Sequence, residues 1–200
     1  MADLKSNAVL NEWIGRFAAA SRGNLCKGRE LISFRRTSAE YFTGLRLKKK
    51  YELDRDDVVD WLQRCPTVYF TDYTDAYDDT ADRIADSNPL QRLSPFFLDI
   101  AKNTGLTMAM FELSFKHLDP AVKSELAAGF HPDTHVPMDM FTEGALRTLG
   151  LEVPEDDFFS YRSFISLCGE LRRMLVEKGV FARDLSAVHE FLLFVYTDSR

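Results

Sequence analysis

Residues 156–196 read DDFFSYRSFISLCGELRRMLVEKGVFARDLSAVHEFLLFVY, and this stretch decides the fold class. Between Tyr161 and Lys178 apolar residues recur at steps of three and four, which predicts an α-helix with one buried face. Gly179 supplies the left-handed residue that ends such a helix. Asp184 is placed to cap a second helix, which is apolar on most faces and must be covered within the domain or by another chain. We therefore expect a mainly α-helical chain.

Composition is that of a soluble globular protein of one domain or two small ones, with 46% hydrophobic and 28% charged residues in 200. The three cysteines are far apart, which favours buried thiols in a reducing compartment. No run approaches the roughly 18 apolar residues of a membrane span, and residues 1–12 do not form a secretory signal. We expect an intracellular, cytoplasmic protein, and the segment 16–22 leaves the mitochondrial matrix open.

Charge divides the N-terminal half into two opposite blocks. Residues 22–50 carry nine basic and two acidic side chains, whereas residues 51–90 carry three basic and eleven acidic ones. The chain becomes markedly more apolar after Asn88-Pro89, a pair that breaks helices. The sequence thus predicts a charged N-terminal helical region, 1–90, and a compact all-α multi-helix domain, 91–200.

Short strand signals interrupt the helical pattern of the N-terminal region. Leu31 to Phe34 is a brief apolar run, and residues 67–71 alternate in the manner of a strand. The pair predicts a short β-hairpin and permits a winged-helix-like unit. A loop is expected at residues 23–30, and Thr37 to Glu40 fits a capping box that starts a brief helix.

The second half is expected to be about five helices joined by short turns. Ser94-Pro95 and Asp119-Pro120 each pair a cap with a proline at the first helical position. Residues 106–118 form a strongly apolar segment that we expect to be helical. Residues 131–138 are loop-like, and Asp139 is expected to cap the helix that follows.

An aspartate cluster stands out in the acidic block. Asp78 to Asp82 reads D-D-x-x-D and resembles the aspartate-rich motif of isoprenoid synthases, which implies Mg²⁺ bound to a diphosphate. On a helix these three aspartates and Asp75 project to one side. The alternative is a solvated or partner-facing acidic patch, and we favour it because the flanking residues are too polar for a prenyl pocket. The patch consists of Asp75, Asp78, Asp79 and Asp82.

The loop before Asp139 offers candidate metal ligands. His131, Asp133 and His135 precede Asp139 within nine residues, and imidazole with carboxylate suits zinc, manganese or iron. An ordinary polar loop that ends in a helix cap accounts for the same residues, and no cofactor is expected.

Pro137-Met138-Asp139, followed by residues 146–151, resembles the end of helix-hairpin-helix base-excision glycosylases. The resemblance implies that Asp139 is catalytic in a glycosylase-like or nucleosidase-like enzyme. Residues 118–123 depart from the family pattern, since they lack its hairpin glycine and misplace its lysine. No nucleophile elbow, phosphate-cradling loop or dinucleotide fingerprint occurs.

The function expected from these patterns is a non-catalytic protein–protein interaction protein, an adaptor or accessory subunit of a larger intracellular assembly. The surplus of large apolar residues and the opposite charge blocks suit partner subunits or self-association. The basic block offers an alternative contact with nucleic acid or an anionic surface. The expected partner-binding residues are Phe191, Phe194, Tyr196, Arg46, Lys48, Lys49 and Lys50.

Overall fold

The computed structural model describes residues 4–23, 29–46, 52–68, 79–103 and 109–199. A short 3-10 turn, Leu4–Ser6, comes before the first α-helix. The α-helices are α1 Ala8–Gly23, α2 Arg29–Arg46, α3 Arg55–Gln63, α4 Thr80–Ser87, α5 Leu90–Lys102, α6 Ala109–Glu112, α7 Pro120–Phe130, α8 Met140–Thr148, α9 Phe158–Glu177 and α10 Ser186–Asp198. These ranges contain no strand, only an isolated bridge between Phe115 and Leu118, so the predicted mainly α-helical class is confirmed. In the same ranges no helix is long and apolar enough to cross a membrane.

The central helix pair begins and ends where local chemistry predicts. Asp157 caps α9 by accepting hydrogen bonds from the amides of Phe159 and Ser160 at 2.8 and 3.0 Å. Gly179 follows α9 with a φ of 81°, a left-handed conformation that glycine adopts without a steric cost. Asp184 accepts from the first amide of α10 at 3.0 Å. These caps satisfy amides that the helices themselves cannot pair.

One apolar core joins α1 to the helices of the C-terminal part. Trp13 and Phe17 of α1 meet Phe194 of α10 with ring centroids 6.0 and 5.4 Å apart. Side chains from α8, α9 and the loop before α8 complete this core. Ion pairs tie the same helices together outside the core, Lys5 to Glu177 and Arg16 to Asp198.

A second apolar core gathers α2, α3, α4, α5 and α7. Phe130 at the end of α7 packs against Phe42 and Trp61, with ring centroids 4.7 and 4.8 Å apart. Trp61 in turn stacks on Phe97 of α5 at 6.1 Å. The core runs from Phe42 to Phe130 and so includes residues from both sides of residue 90. The domain boundary near residue 90 stays a prediction.

Two glycines let helices approach closely. A Cβ atom built on Gly144 of α8 would lie 2.6 Å from the ring of Tyr196 on α10, and one on Gly129 of α7 would overlap the ring of Phe42 on α2. Since real Cβ atoms do not tolerate such contacts, each glycine sets the spacing of its helix pair.

The predicted β-hairpin is wrong. Residues 31–34 lie inside α2, and residues 67 and 68, at the start of the second strand signal, are helical; residues 69–71 lie outside the described ranges. A short apolar run fits a buried helix as well as a strand, and packing of α2 on α7 decides for the helix. Without the hairpin, the winged-helix-like unit has no support. The expected loop at 23–30 is wrong at both ends, since residue 23 belongs to α1 and residues 29–30 belong to α2; residues 24–28 lie outside the described ranges.

The predicted capping box at Thr37 is also wrong, because the residue lies in the middle of α2. Its hydroxyl donates to the carbonyl of Ser33 at 3.1 Å, as in a helix interior. Ser38 is buried and donates to the carbonyl of Arg64 at 2.8 Å, which links α2 to the end of α3.

Two helices expected in the second half need correction. α5 begins at Leu90, so Pro95 lies inside it, and the hydroxyl of Ser94 accepts a hydrogen bond from the amide of Leu53 at 2.8 Å instead of capping. Residues 113–118 are not helical, and residues 104–108 lie outside the described ranges. The caps at Asp119 and Asp139 are confirmed.

Candidate functional site

A cleft of about 210 Å³ opens between α2, the end of α7, the loop 131–138 and the start of α10. Its apolar wall comes from the end of α7 and two prolines of the loop, and its polar wall comes from α2 and α10. The residues that line it are Arg35, Arg36, Glu40, Ala128, Gly129, Pro132, His135, Pro137, Ser186, His189 and Glu190. Charged and apolar surfaces thus face each other across the cleft.

Asp139 lies behind this cleft and is completely buried. Its Oδ1 caps α8 by accepting from the amide of Thr142 at 2.8 Å, and its Oδ2 lies 3.3 Å from Nε2 of His189. Desolvation opposes the charge of this carboxylate, but the contact with His189, the charge of Arg35 and the bond from Thr142 outweigh it and lower the pKa of Asp139. Asp139 is therefore an ionised group in the interior.

His189 connects the buried carboxylate to the cleft. Its Nδ1 accepts a hydrogen bond from Nε of Arg35 at 3.0 Å, so the ring proton of the neutral imidazole is on Nε2 and faces Asp139. Burial and the neighbouring charge of Arg35 lower the pKa of His189. The three side chains form one row, which we call the polar row: Arg35, His189 and Asp139.

Arg35 is the end of the polar row that reaches the cleft. It is half-buried, and its Nε is held by His189. Its two Nη atoms make no hydrogen bond to any residue that the structure describes. The outer edge of a guanidinium carries two parallel N–H groups that match a carboxylate or phosphate. The polar row therefore orients an anion-binding group.

A second buried carboxylate lies close to the polar row. Glu125 of α7 accepts hydrogen bonds from the amide and hydroxyl of Thr67, the latter at 3.0 Å. Burial, reinforced by the negative charge of Asp139, raises the pKa of Glu125 to about 8. Glu125 therefore holds its proton to higher pH than an ordinary glutamate, whereas Asp139 is ionised.

The rim of the cleft carries one ion pair and one further carboxylate. Arg36 donates from Nε and Nη2 to the two carboxylate oxygens of Glu190, both at 2.7 Å, and so joins α2 to α10. Glu40 lies one turn further along α2 and is exposed. Its carboxylate has no ion pair or hydrogen bond within the described part of the chain.

The candidate metal ligands do not converge. His131 is buried with its Nε2 2.8 Å from the carbonyl of Ile100, whereas Asp133 is exposed. His135 is buried and stacks on Tyr161 at 6.2 Å. Within the described residues no three histidine, cysteine or acidic side chains are grouped to hold a metal ion. Of this set, the structure brings His135 to the cleft wall and Asp139 behind it.

The apolar residues expected to contact a partner lie in the interior. Phe191, Phe194 and Tyr196 are 0%, 4% and 8% exposed, because α1, α8 and α9 cover α10 on most sides. The apolar surplus of α10 is thus satisfied within the chain, and the expectation that these side chains form an interface needs correction.

The charged patches are only partly described. Arg46 ends α2, but its side chain and residues 48–50 lie outside the described part, as do Asp75 and Asp78. Asp79 caps α4, and Asp82 pairs with Arg55. The basic block stays a predicted polyanion contact.

Two residues of the polar row, His189 and Arg35, are not predictable as site residues from the sequence. Asp139 is detectable as a helix cap, but His189 is a lone histidine on an apolar helix, and Arg35 is one of several basic residues in a charged block. The one available signal is a polar residue at a buried helical position next to Val188.

Comparison of the chain with protein-family models, curated proteins and solved structures gave no significant match.

Proposed function

We propose that this protein binds a small organic anion in the cleft between α2 and α10. The observation that carries the proposal is the polar row, in which Asp139 and His189 hold the guanidinium of Arg35 at the wall of the cleft. The cleft is smaller than the roughly 300 to 1,000 Å³ typical of drug-sized ligands, which favours a small metabolite.

The energetic cost of the polar row supports a ligand-binding function. Burying an ionised carboxylate costs several kcal/mol, on the order of what a hydrogen-bonded partner recovers, so apolar residues of similar size are often at least as stable. Buried charges beside a cleft are for this reason candidate functional groups. Here His189 lies between the buried carboxylate of Asp139 and Arg35 at the cleft. This arrangement fixes the orientation of Arg35.

The same geometry favours binding over catalysis. Nδ1 of His189 accepts a hydrogen bond from Arg35, and Nε2 is buried 3.3 Å from Oδ2 of Asp139, so neither ring nitrogen is accessible to a substrate proton. Asp139 does not line the cleft, and its carboxylate is completely buried. The glycosylase-like alternative would require this carboxylate to reach a substrate.

Ligand binding is tested by thermal unfolding of the protein with small carboxylates and phosphates at millimolar concentration, followed by calorimetric titration of each compound that raises the midpoint. We expect Arg35→Lys to weaken binding by about tenfold or more, since lysine cannot present two parallel N–H groups. Arg173→Lys is the matched control on the exposed face of α9 and is expected to leave affinity unchanged. If no anion binds to the wild type, the proposal is wrong.

An adaptor or accessory-subunit function is the second candidate. It is favoured by large apolar side chains that stay exposed at helix starts and in the loop after α9, namely Phe181 at 89%, Phe159 at 69% and Met140 at 62%. The test is to measure the mass in solution by light scattering, first on the purified protein alone and then on the protein isolated from its native source. A monomer that co-purifies with no stoichiometric partner would contradict the adaptor function.

A further inference from the structure

We infer that the ligand is a zwitterion of the free amino acid class, with its carboxylate on Arg35 and its ammonium group at Glu40. The inference rests on the proposed function of the cleft and specifies its ligand. It follows from the charges that remain at the cleft when the existing contacts are taken into account.

Of the four charged side chains that line the cleft, two form an ion pair with each other. Arg36 and Glu190 neutralise each other in a two-point contact with both distances at 2.7 Å. The Nη edge of Arg35 and the carboxylate of Glu40 are left to contact a ligand, and neither makes an ion pair with another described residue. The cleft thus presents one cationic and one anionic contact, which a zwitterion matches.

Both contacts come from one helix and face one cavity. The two residues are five positions apart on α2, which is a rise of about 7.5 Å along the helix axis and a rotation of about 140° around it, and both side chains line the cleft. Ala128, Pro132 and Pro137 provide an apolar wall for an aliphatic body. The cleft therefore offers a contact for each part of an amino acid.

A simple anion would fit less well than a zwitterion. A ligand that carries only a negative charge would bring that charge near the carboxylate of Glu40 at the rim. Like charges at short range disfavour each other, whereas an ammonium group on the same ligand turns the carboxylate of Glu40 into a favourable contact. Selection for an amino group follows from this arrangement.

The test compares matched ligands on the full chain by calorimetric titration. The probes are the twenty standard amino acids, first ranked by thermal shift, and for each that binds, the carboxylic acid of the same skeleton without the amino group. We expect at least one amino acid to bind more tightly than its deaminated acid, and Glu40→Gln to reduce that affinity by about 1.5-fold to fivefold, the scale of an exposed ion pair. Glu12→Gln on the exposed face of α1 is the control and should change nothing.

The outcomes separate this inference from the proposed function. If carboxylates bind in a manner that depends on Arg35, but the amino group adds no affinity or Glu40→Gln has no effect, the function holds and the zwitterion inference is wrong. If neither amino acids nor other anions bind, both fail. Because Glu40 is exposed, Glu40→Gln is expected to keep the fold, which circular dichroism checks.

Discussion

Nε of Arg35 donates a hydrogen bond to Nδ1 of His189 across 3.0 Å, and the two residues are 154 positions apart in the chain. Nε2 of the same imidazole lies beside Asp139, the residue that caps α8. The orientation of Arg35 on α2 therefore depends on Asp139. A single imidazole thus joins three helices and sets the direction of a charged group at the cleft.

Loss of the imidazole should therefore be costly. In His189→Phe the buried charge of Asp139 loses its partner, and we expect the free energy of unfolding to fall by about 3 to 5 kcal/mol. Urea denaturation at pH 7 measures the change. His117→Asn is the control, because this exposed histidine has a φ of 62°, which asparagine tolerates, and it should change stability by less than about 0.5 kcal/mol. If His189→Phe changes the free energy of unfolding only slightly, the contacts within the polar row do not stabilise the fold strongly.

Substitutions of Asp139 separate its cap from its charge. Asn at this position keeps an oxygen for the amide of Thr142, whereas Ala removes the cap as well, so we expect Asp139→Ala to be less stable than Asp139→Asn by about 1 kcal/mol. Thermal unfolding of the two variants gives the difference. If Asp139→Asn instead keeps its stability and abolishes an activity on nucleic acid, the glycosylase-like alternative is correct.

The buried Glu125 should make stability fall as pH rises. The unfolded chain releases this proton near the ordinary value of 4.5, whereas the folded chain holds it up to about 8. Between these values the unfolded state binds fewer protons, so the contribution of Glu125 to stability declines with increasing pH. The variant Glu125→Gln lacks this titration. We expect its stability relative to the wild type to improve by a few kcal/mol from pH 5 to pH 8, on the scale of about 1.4 kcal/mol per pKa unit.

Denaturant unfolding of both proteins across this range provides the measurement. The comparison with the variant removes the effect of His189, whose lowered pKa makes stability fall on the acidic side, below its ordinary value of 6.5. A difference between the two proteins that stays constant with pH would mean that Glu125 is ionised in the folded state.

Gly144 should not tolerate a side chain. Its Cβ would lie 2.6 Å from the ring of Tyr196, so Gly144→Ala forces α8 and α10 apart, and we expect a loss of about 1 to 3 kcal/mol. The matched control is Gly169→Ala inside α9, where nothing lies within 4 Å of the new atom. Alanine favours helix, so this control should gain up to about 1 kcal/mol. Equal effects of both substitutions on the thermal midpoint would contradict the close helix contact.

Local signals predict much of the helical framework and little of the site. The cap at Asp157 and the glycine at position 179 depend on neighbouring residues alone, and both were predictable. Whether residues 31–34 form a helix or a strand depends on the packing of α2 against α7. A short apolar run does not encode this packing. The link from Arg35 to His189 depends on the whole fold, because no periodicity relates residues so distant in sequence.

The packing of α1 against α10 has a consequence for the order in which the fold can be completed during synthesis. Trp13 and Phe17 leave the ribosome before Phe194, whose ring covers them, because they precede it in the chain. Until α10 has been synthesised, the apolar face of α1 stays exposed or is buried transiently against another apolar surface. The cleft needs the same late helix for His189 and Glu190, so a nascent chain completes the core around α1 and this cleft together.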